Sequence, residues 1–326
     1  MSHPAPSASE THPAPPQTWE PDAFEAPDYY ALDELLTEEA KALRDEVRAF
    51  VTNEVEPIIE EHAQEATFPR SLLPAFAEQG LLGPTLPTEY GGGGHSNIVY
   101  GLMMQELERG DSGLRSFCSV TGSLVMYPIW RYGTEAQKER WLPALARAEA
   151  IGCFGLTEPN VGSNPSDMET RARRDGDAWV LEGHKRWSTN ASMADVAVIW
   201  AKDEDDVVRG FLVETDRDGV STPTIDETWS LRAAVTSEVV LDGVRVPDSA
   251  RLPHAEGLKG PLSCLTQARY GICWGTIGAA MACYDAARQH AQNREQFGQP
   301  IGGFQLMQER LVDMVQEITK AQLLNW

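Results

Sequence analysis

The sequence predicts a three-part fold: an N-terminal all-helical domain, a central antiparallel β-domain or small barrel, and a C-terminal helical bundle. Two changes of period and one missing motif carry that expectation. Apolar residues such as Ala40, Leu43, Val47, Phe50 and Val51 recur at helical spacing, and at Ile151 the pattern shortens to runs rich in Val, Ile and Trp separated by turns. Helical spacing returns near Leu262. Successive strands without intervening helices call for antiparallel pairing, and neither GxGxxG nor GxxxxGK is present to argue for a doubly wound nucleotide fold.

Residues 1–29 hold seven of the 21 prolines and almost no aliphatic side chain larger than alanine. They cannot collapse alone and are expected to form a mobile or surface-draped arm, anchored at Trp19 and Phe24. The helical domain is expected over 30–150. Thr37 is the expected N-cap of its first long helix, Glu38 and Glu39 suit the positive end of the helix dipole, and Pro57 should kink that helix or mark its restart. A second helix is expected over 70–79, stopped by Gly80, and Thr134-Glu135-Ala136-Gln137 caps another. The β-domain is expected over 151–258, with strands at 178–183, 195–201, 210–214 and 235–246 and turns at Asp175-Gly176 and Asp242-Gly243. The last domain, 259–326, has a helix through 268–290, a loop at Phe297-Gly298-Gln299-Pro300 and a final helix from about Phe304. Two helices do not close a bundle, so this domain is expected to be incomplete, with an apolar face exposed around Leu323 and Leu324.

A formal charge of -22 argues against nucleic acid or an anionic membrane as the main partner, without excluding an acidic ligand in a locally basic pocket. Cysteines at 118, 153, 264, 273 and 283 show no zinc-type spacing, so no metal site is expected; they read as buried thiols in a reduced compartment. With no apolar run long enough for a membrane span and no hydrophobic signal core, a cytoplasmic location is expected.

Chemistry concentrates in two stretches. In Phe154-Gly155-Leu156-Thr157-Glu158-Pro159-Asn160-Val161-Gly162-Ser163-Asn164, an apolar strand opens into a loop with hydroxyls and free N–H groups. In Lys185-Arg186-Trp187-Ser188-Thr189-Asn190, an aromatic face stands beside two hydroxyls, suited to a flat ligand with hydrogen-bonding edges. Each alone also reads as a structured loop beside a core tryptophan. Together with Asn293-Arg294-Glu295-Gln296-Phe297-Gly298, they resemble the FAD-contacting motifs of the acyl-CoA dehydrogenases, and the resemblance runs from about residue 30 to the end.

The resemblance implies that Phe154, Leu156 and Thr157 lie along the flavin ring, with Thr157 hydrogen-bonding its pyrimidine edge. It places Gly162 in the cofactor loop, Trp187 against the ring and Thr189 near N5. Ser163 resembles the residue where flavin pyrophosphate and substrate tail cross, and Arg269 the arginine on the CoA side of the channel. Asn164 departs from the aspartate common in relatives, which removes a charge near the phosphates. Arg294, Phe297 and Gln305 are implied to reach the cofactor of a neighbouring subunit, hence a homo-oligomer built as a dimer of dimers. From the residues alone, Arg294 equally reads as a solvated helix-end charge, and Arg269 as half of a buried ion pair.

Substrate class turns on Glu106-Leu107-Glu108-Arg109-Gly110-Asp111-Ser112-Gly113-Leu114-Arg115-Ser116. An unpaired arginine is costly in an apolar acyl pocket. The glutaryl-CoA dehydrogenases place one there to pair with the second carboxylate, beside a glutamate and a serine, and Arg115, Glu108 and Ser116 resemble that trio. The implied reaction is oxidative decarboxylation of glutaryl-CoA to crotonyl-CoA. A carboxylate takes the α-proton, the β-hydrogen leaves as hydride to flavin N5, and an electron-transferring flavoprotein accepts the electrons. The family's base lies in a Tyr-Glu-Gly-Thr segment that this sequence does not contain, and the position a few relatives use instead is Ala268. Glu158 sits where the family holds its loop. The catalytic residue is therefore unassigned, and the chain is expected to be inactive alone and to hold FAD weakly. Competing readings are a dehydrogenase of another short or branched acyl-CoA, a non-catalytic flavoprotein or CoA-binding scaffold, and an acyl-CoA oxidase. A surface arginine at a helix end is the plain alternative for Arg115.

Overall fold

The computed structural model of the chain describes residue 28 and residues 30–326; the expected arm with Trp19 and Phe24 lies outside the described residues. Helix α1 (Glu38–Phe50) starts where the sequence asks for it, with the Thr37 hydroxyl accepting the Ala40 N–H at 3.2 Å. It passes through a π-helical turn, Val51–Val55, into α2 (Glu56–Glu65), which carries Pro57 in its first turn. The backbone stays helical throughout, and the wider π turn lies immediately before the proline, which has no N–H to donate. Helix α3 (Leu73–Glu78) follows a 3-10 turn, and then come α4 (Asn97–Gly110), α5 (Ser112–Ser119), a second π-helical stretch Val120–Met126, α6 (Tyr127–Tyr132) and α7 (Glu135–Ala146). Thr134 and Gln137 cap α7 reciprocally, side chain to backbone in both directions.

The middle of the chain is one curled sheet of seven strands: β1 (Gly152–Gly155), β2 (Arg171–Asp175), β3 (Ala178–Thr189), β4 (Val196–Lys202), β5 (Val208–Glu214), β6 (Val220–Ser221) and β7 (Thr236–Pro247). Its order is β1-β4-β2-β3-β7-β6, with β5 on β4. Most pairings are antiparallel as expected. The exception is that β1, and one residue pair of β2, run parallel to β4. The chain reaches β4 from β1 through the β2–β3 hairpin, so no crossover helix is needed. Asp175-Gly176 makes the turn of that hairpin. Asp242-Gly243 does not turn the chain: β7 continues through it, and the ladder shifts register opposite Leu181 and Gly183.

Strand β4 explains its unbroken apolar sequence, for both of its faces are covered. Ala197, Ile199 and Ala201 join the core that reaches α1, α4 and α5, whereas Val196, Val198 and Trp200 join a second core beneath α7 and the Val120–Met126 stretch. Burying each such large side chain contributes about 1.5–3 kcal/mol.

Helix α8 (Lys259–Asn293) packs lengthwise on α4 and leads through a small hairpin, β8 (Glu295–Gln296) and β9 (Gln299–Pro300), into α9 (Gln305–Asn325). Leu306 and Leu324 of α9 are 77% and 86% exposed. The cysteines split: Cys118, Cys153 and Cys264 are buried, but Cys273 and Cys283 are exposed, because they fall on the side of α8 turned away from α4. No described helix is long and apolar enough to cross a membrane, and no described group of side chains is arranged to hold a metal ion.

Candidate functional site

Where β1 ends, Leu156-Thr157-Glu158-Pro159 leaves the sheet as a loop fixed from beneath. Lys185 of β3 is fully buried, and its ammonium donates to the Leu156 carbonyl at 3.2 Å and to the Glu158 carboxylate at 2.7 Å. Glu158 also accepts the N–H of Glu169 at 2.5 Å, the N–H of Thr170 at 2.9 Å and the Thr170 hydroxyl at 2.5 Å. A buried ion pair is tolerable only with this degree of hydrogen bonding. Burial pushes the Lys185 ammonium down to about 8, against the pull of Glu158. Burial also works to raise Glu158, but Lys185, Thr170 and the Glu169 N–H together hold it below the ordinary carboxylate value. Glu158 thus secures the loop, the role the sequence reading gave it.

The two motif stretches are joined directly, the Arg186 N–H donating to the Thr157 carbonyl at 2.8 Å. The β3–β7 ladder slips between Lys185 and Ser188, and within that slip Trp187 takes a left-handed backbone, φ 61°. Such a conformation is costly for a bulky residue and marks a place where position matters more than local stability. Its indole is 54% exposed, so it is no core tryptophan. The Arg186 guanidinium lies 4.9 Å over the ring, with Nη1 3.0 Å from Glu238.

These elements frame a cleft of about 310 Å³. Of the residues singled out in the sequence, it gathers Phe154, Leu156, Thr157, Gly162, Ser163, Trp187, Thr189 and Arg269. Arg269 is exposed along the cleft, which removes the reading of a buried helix pair. Sequence reasoning missed Val120, Leu124, Leu262 and Leu265, which close the apolar side from two helices, and Arg186. The spacing of Val120 and Leu124, one helical turn apart, was the available signal. A larger hollow of about 830 Å³ between α1, α4, α8 and α9 holds none of the predicted site residues. Its arginines are already engaged, Arg44 with Asp33 and Arg48 with Glu106.

Arg115, Glu108 and Ser116 lie outside the lining of the cleft, on the helical run that leads to Val120 and Leu124. Arg115 is 7% exposed, so it is not a surface helix-end charge. Its Nε donates to Glu108 Oε2 at 2.6 Å, and Ser112 donates to the other Glu108 oxygen at 2.9 Å. Neither Arg115 Nη has a protein hydrogen-bond partner among the described residues, and Ser116, the next residue of α5, is half-buried. Nearby, the Tyr100 hydroxyl meets Ser119 and Ser123, each at 3.1 Å. Arg294, Phe297 and Gln305 are not brought to the cleft. They sit exposed at the α8–α9 hairpin, with Phe297 94% exposed.

Family models for the N-terminal, middle and C-terminal domains of acyl-CoA dehydrogenase match residues 37–149, 153–244 and 255–326. The chain belongs to the acyl-CoA dehydrogenase family, whose members depend on FAD. Within it, the chain is 50% identical to a glutaryl-CoA dehydrogenase from Mycobacterium smegmatis solved in complex with FADH2, over 91% of this chain and 76% of that one, with a TM-score of 0.89. It is 37% identical to a probable acyl-CoA dehydrogenase of Bacillus subtilis, covering 88% of this chain and 77% of that protein. Identity to the glutaryl-CoA dehydrogenase of Desulfococcus multivorans is 35%, covering 90% and 78%.

The residues present fit FAD. The cleft offers hydroxyls at Thr157, Ser163 and Thr189, aromatic surface at Phe154 and Trp187, and two guanidinium groups, with no carboxylate lining it among the described residues to repel phosphates. Replacing Trp187 with glycine should separate placement from stability. Relief of the left-handed strain leaves the melting temperature unchanged or higher, while FAD affinity falls about tenfold or more as the stacking surface is lost. Thermal melts and flavin titration of the variant check both; a lower melting temperature with full flavin affinity would contradict it.

Proposed function

We propose that this chain is a glutaryl-CoA dehydrogenase in substrate class, acting on a dicarboxylic acyl-CoA with FAD and leading to crotonyl-CoA. The observation that carries this reading is the buried Arg115, held at Nε by Glu108 while its two Nη groups have no protein acceptor. A monocarboxylic tail gives that guanidinium nothing to meet, whereas a second carboxylate would take both Nη donors in parallel. The spacing agrees. Val120 at the cleft lies five positions beyond Arg115, about 8 Å of helix at 1.5 Å per residue, a span that a short dicarboxylic tail and an arginine side chain bridge together.

Bound in the cleft, FAD supplies the two-electron redox chemistry. In this reading the Thr157 and Thr189 hydroxyls face its polar edge and Trp187 covers one face, while Ser163 and Arg269 flank the CoA end. Arg294, Phe297 and Gln305, displayed on an exposed hairpin, are assigned to a second subunit's cofactor in a homo-oligomer. An electron-transferring flavoprotein as acceptor and a cytoplasmic location belong to the same reading.

No carboxylate lines the cleft among the described residues, so these residues bind and orient the thioester without supplying a base for the α-proton. That favours, as a second reading, a flavin- and CoA-binding protein without turnover. Anaerobic mixing of the FAD-loaded chain with glutaryl-CoA separates the two readings: bleaching of the flavin supports the dehydrogenase, and a perturbed but unbleached spectrum supports binding without turnover. Rapid bleaching would place a functional base within the chain.

A further inference from the structure

Helix α8 meets α4 and α5 at Gly275, and the meeting is unusually close. A β-carbon added there would overlap Oε2 of Glu108, sit 2.9 Å from its Cδ and lie 3.3 Å from Nε of Arg115. Oε2 and Nε are the two atoms of the 2.6 Å bond that joins this buried pair. Glu108 has little freedom to retreat, since Ser112 holds its other oxygen. One turn earlier on the same face, a β-carbon at Gly271 would overlap the Tyr100 hydroxyl. Glycine inside a long helix weakens it relative to alanine, so local helix stability does not account for Gly275.

We propose that Gly275 is a positioning residue: the space left by its missing side chain is what allows Glu108 to grip Arg115 at Nε and leave both Nη groups turned to a ligand. A methyl group at 275 drives the carboxylate off Nε, and the guanidinium loses the orientation that a bidentate contact with a second carboxylate requires. The positioning of Arg115 stands on the geometry alone; its consequence for glutaryl-CoA rests on the substrate reading given above.

The test uses the full chain loaded with FAD and the variant Gly275→Ala. In the wild type, the Arg115 Nε–H, hydrogen-bonded and buried, should give an NMR resonance protected from solvent exchange. In Gly275→Ala that resonance should shift and lose protection, and the ratio of glutaryl-CoA to butyryl-CoA affinity should fall about tenfold. An unchanged resonance overturns the proposal, as does an unchanged ratio in a protein whose wild type prefers glutaryl-CoA. A lost resonance in a protein whose wild type shows no such preference upholds the positioning and overturns the substrate reading instead. Should Gly275→Ala not fold, the double variant Gly275→Ala with Glu108→Ala decides. Recovery of folded protein supports the proposal, because the colliding carboxylate is gone, and failure of both overturns it.

Discussion

Arg115→Met is expected to weaken glutaryl-CoA binding by about two orders of magnitude and to leave butyryl-CoA binding within about threefold. A charge-assisted bond to a buried carboxylate contributes about 1.5–3 kcal/mol, and the upper end corresponds to roughly a hundredfold in affinity. Methionine keeps the length and the apolar stem but offers no donor, so the second carboxylate of glutaryl-CoA would leave water for nothing. The substitution also strands Glu108, which is 7% exposed and then faces only Ser112. That orphan costs the fold about 3–5 kcal/mol if it stays charged. The double variant with Glu108→Gln removes this complication. Calorimetric titration with both thioesters reads the result, and an equal loss for the two would reduce Arg115 to a purely structural role.

Lys185→Met should also have a large effect on the folded state. The substitution leaves Glu158 buried with three hydrogen-bond donors but no cation, and breaking one side of a buried ion pair costs about 3–5 kcal/mol. The damage is directional, because Lys185 also holds the Leu156 carbonyl, and Leu156, Thr157 and the Gly162-Ser163 turn line the cleft. FAD affinity should therefore fall together with the denaturation midpoint, in contrast to Trp187→Gly, where the two separate. A Lys185→Met protein with a normal midpoint would show that Glu158 is satisfied without its partner.

The sequence made the helical–sheet–helical order and most of the cleft legible, for reasons that can be named. Thr37, Thr134 and Gln137 are local caps, and the unbroken apolar run of β4 reports burial on both faces. Phe154, Thr157, Trp187 and Thr189 lie in two contiguous stretches, so a motif could find them, and a single backbone bond between Arg186 and Thr157 brings those stretches together. What stayed hidden was long-range or subtle. The parallel pairing of β1 with β4 depends on strands over forty residues apart, and Gly243 looks like a turn when read against its neighbours alone. Leu262 and Leu265 line the cleft only because of how α8 crosses the α5–α6 region, and the exposure of Cys273 and Cys283 follows from which side of α8 meets α4. Gly275 carried no signal at all until the carboxylate of Glu108 was found against it.

The account stands or falls on a dicarboxylic acyl-CoA being the ligand that joins the cleft to Arg115. The direct measurement is the affinity of the wild-type, FAD-loaded chain for glutaryl-CoA against butyryl-CoA at the same pH and ionic strength. Glutaryl-CoA should bind at least about tenfold tighter, an advantage of roughly 1.4 kcal/mol or more. Equal affinities, or a preference for butyryl-CoA, would contradict it.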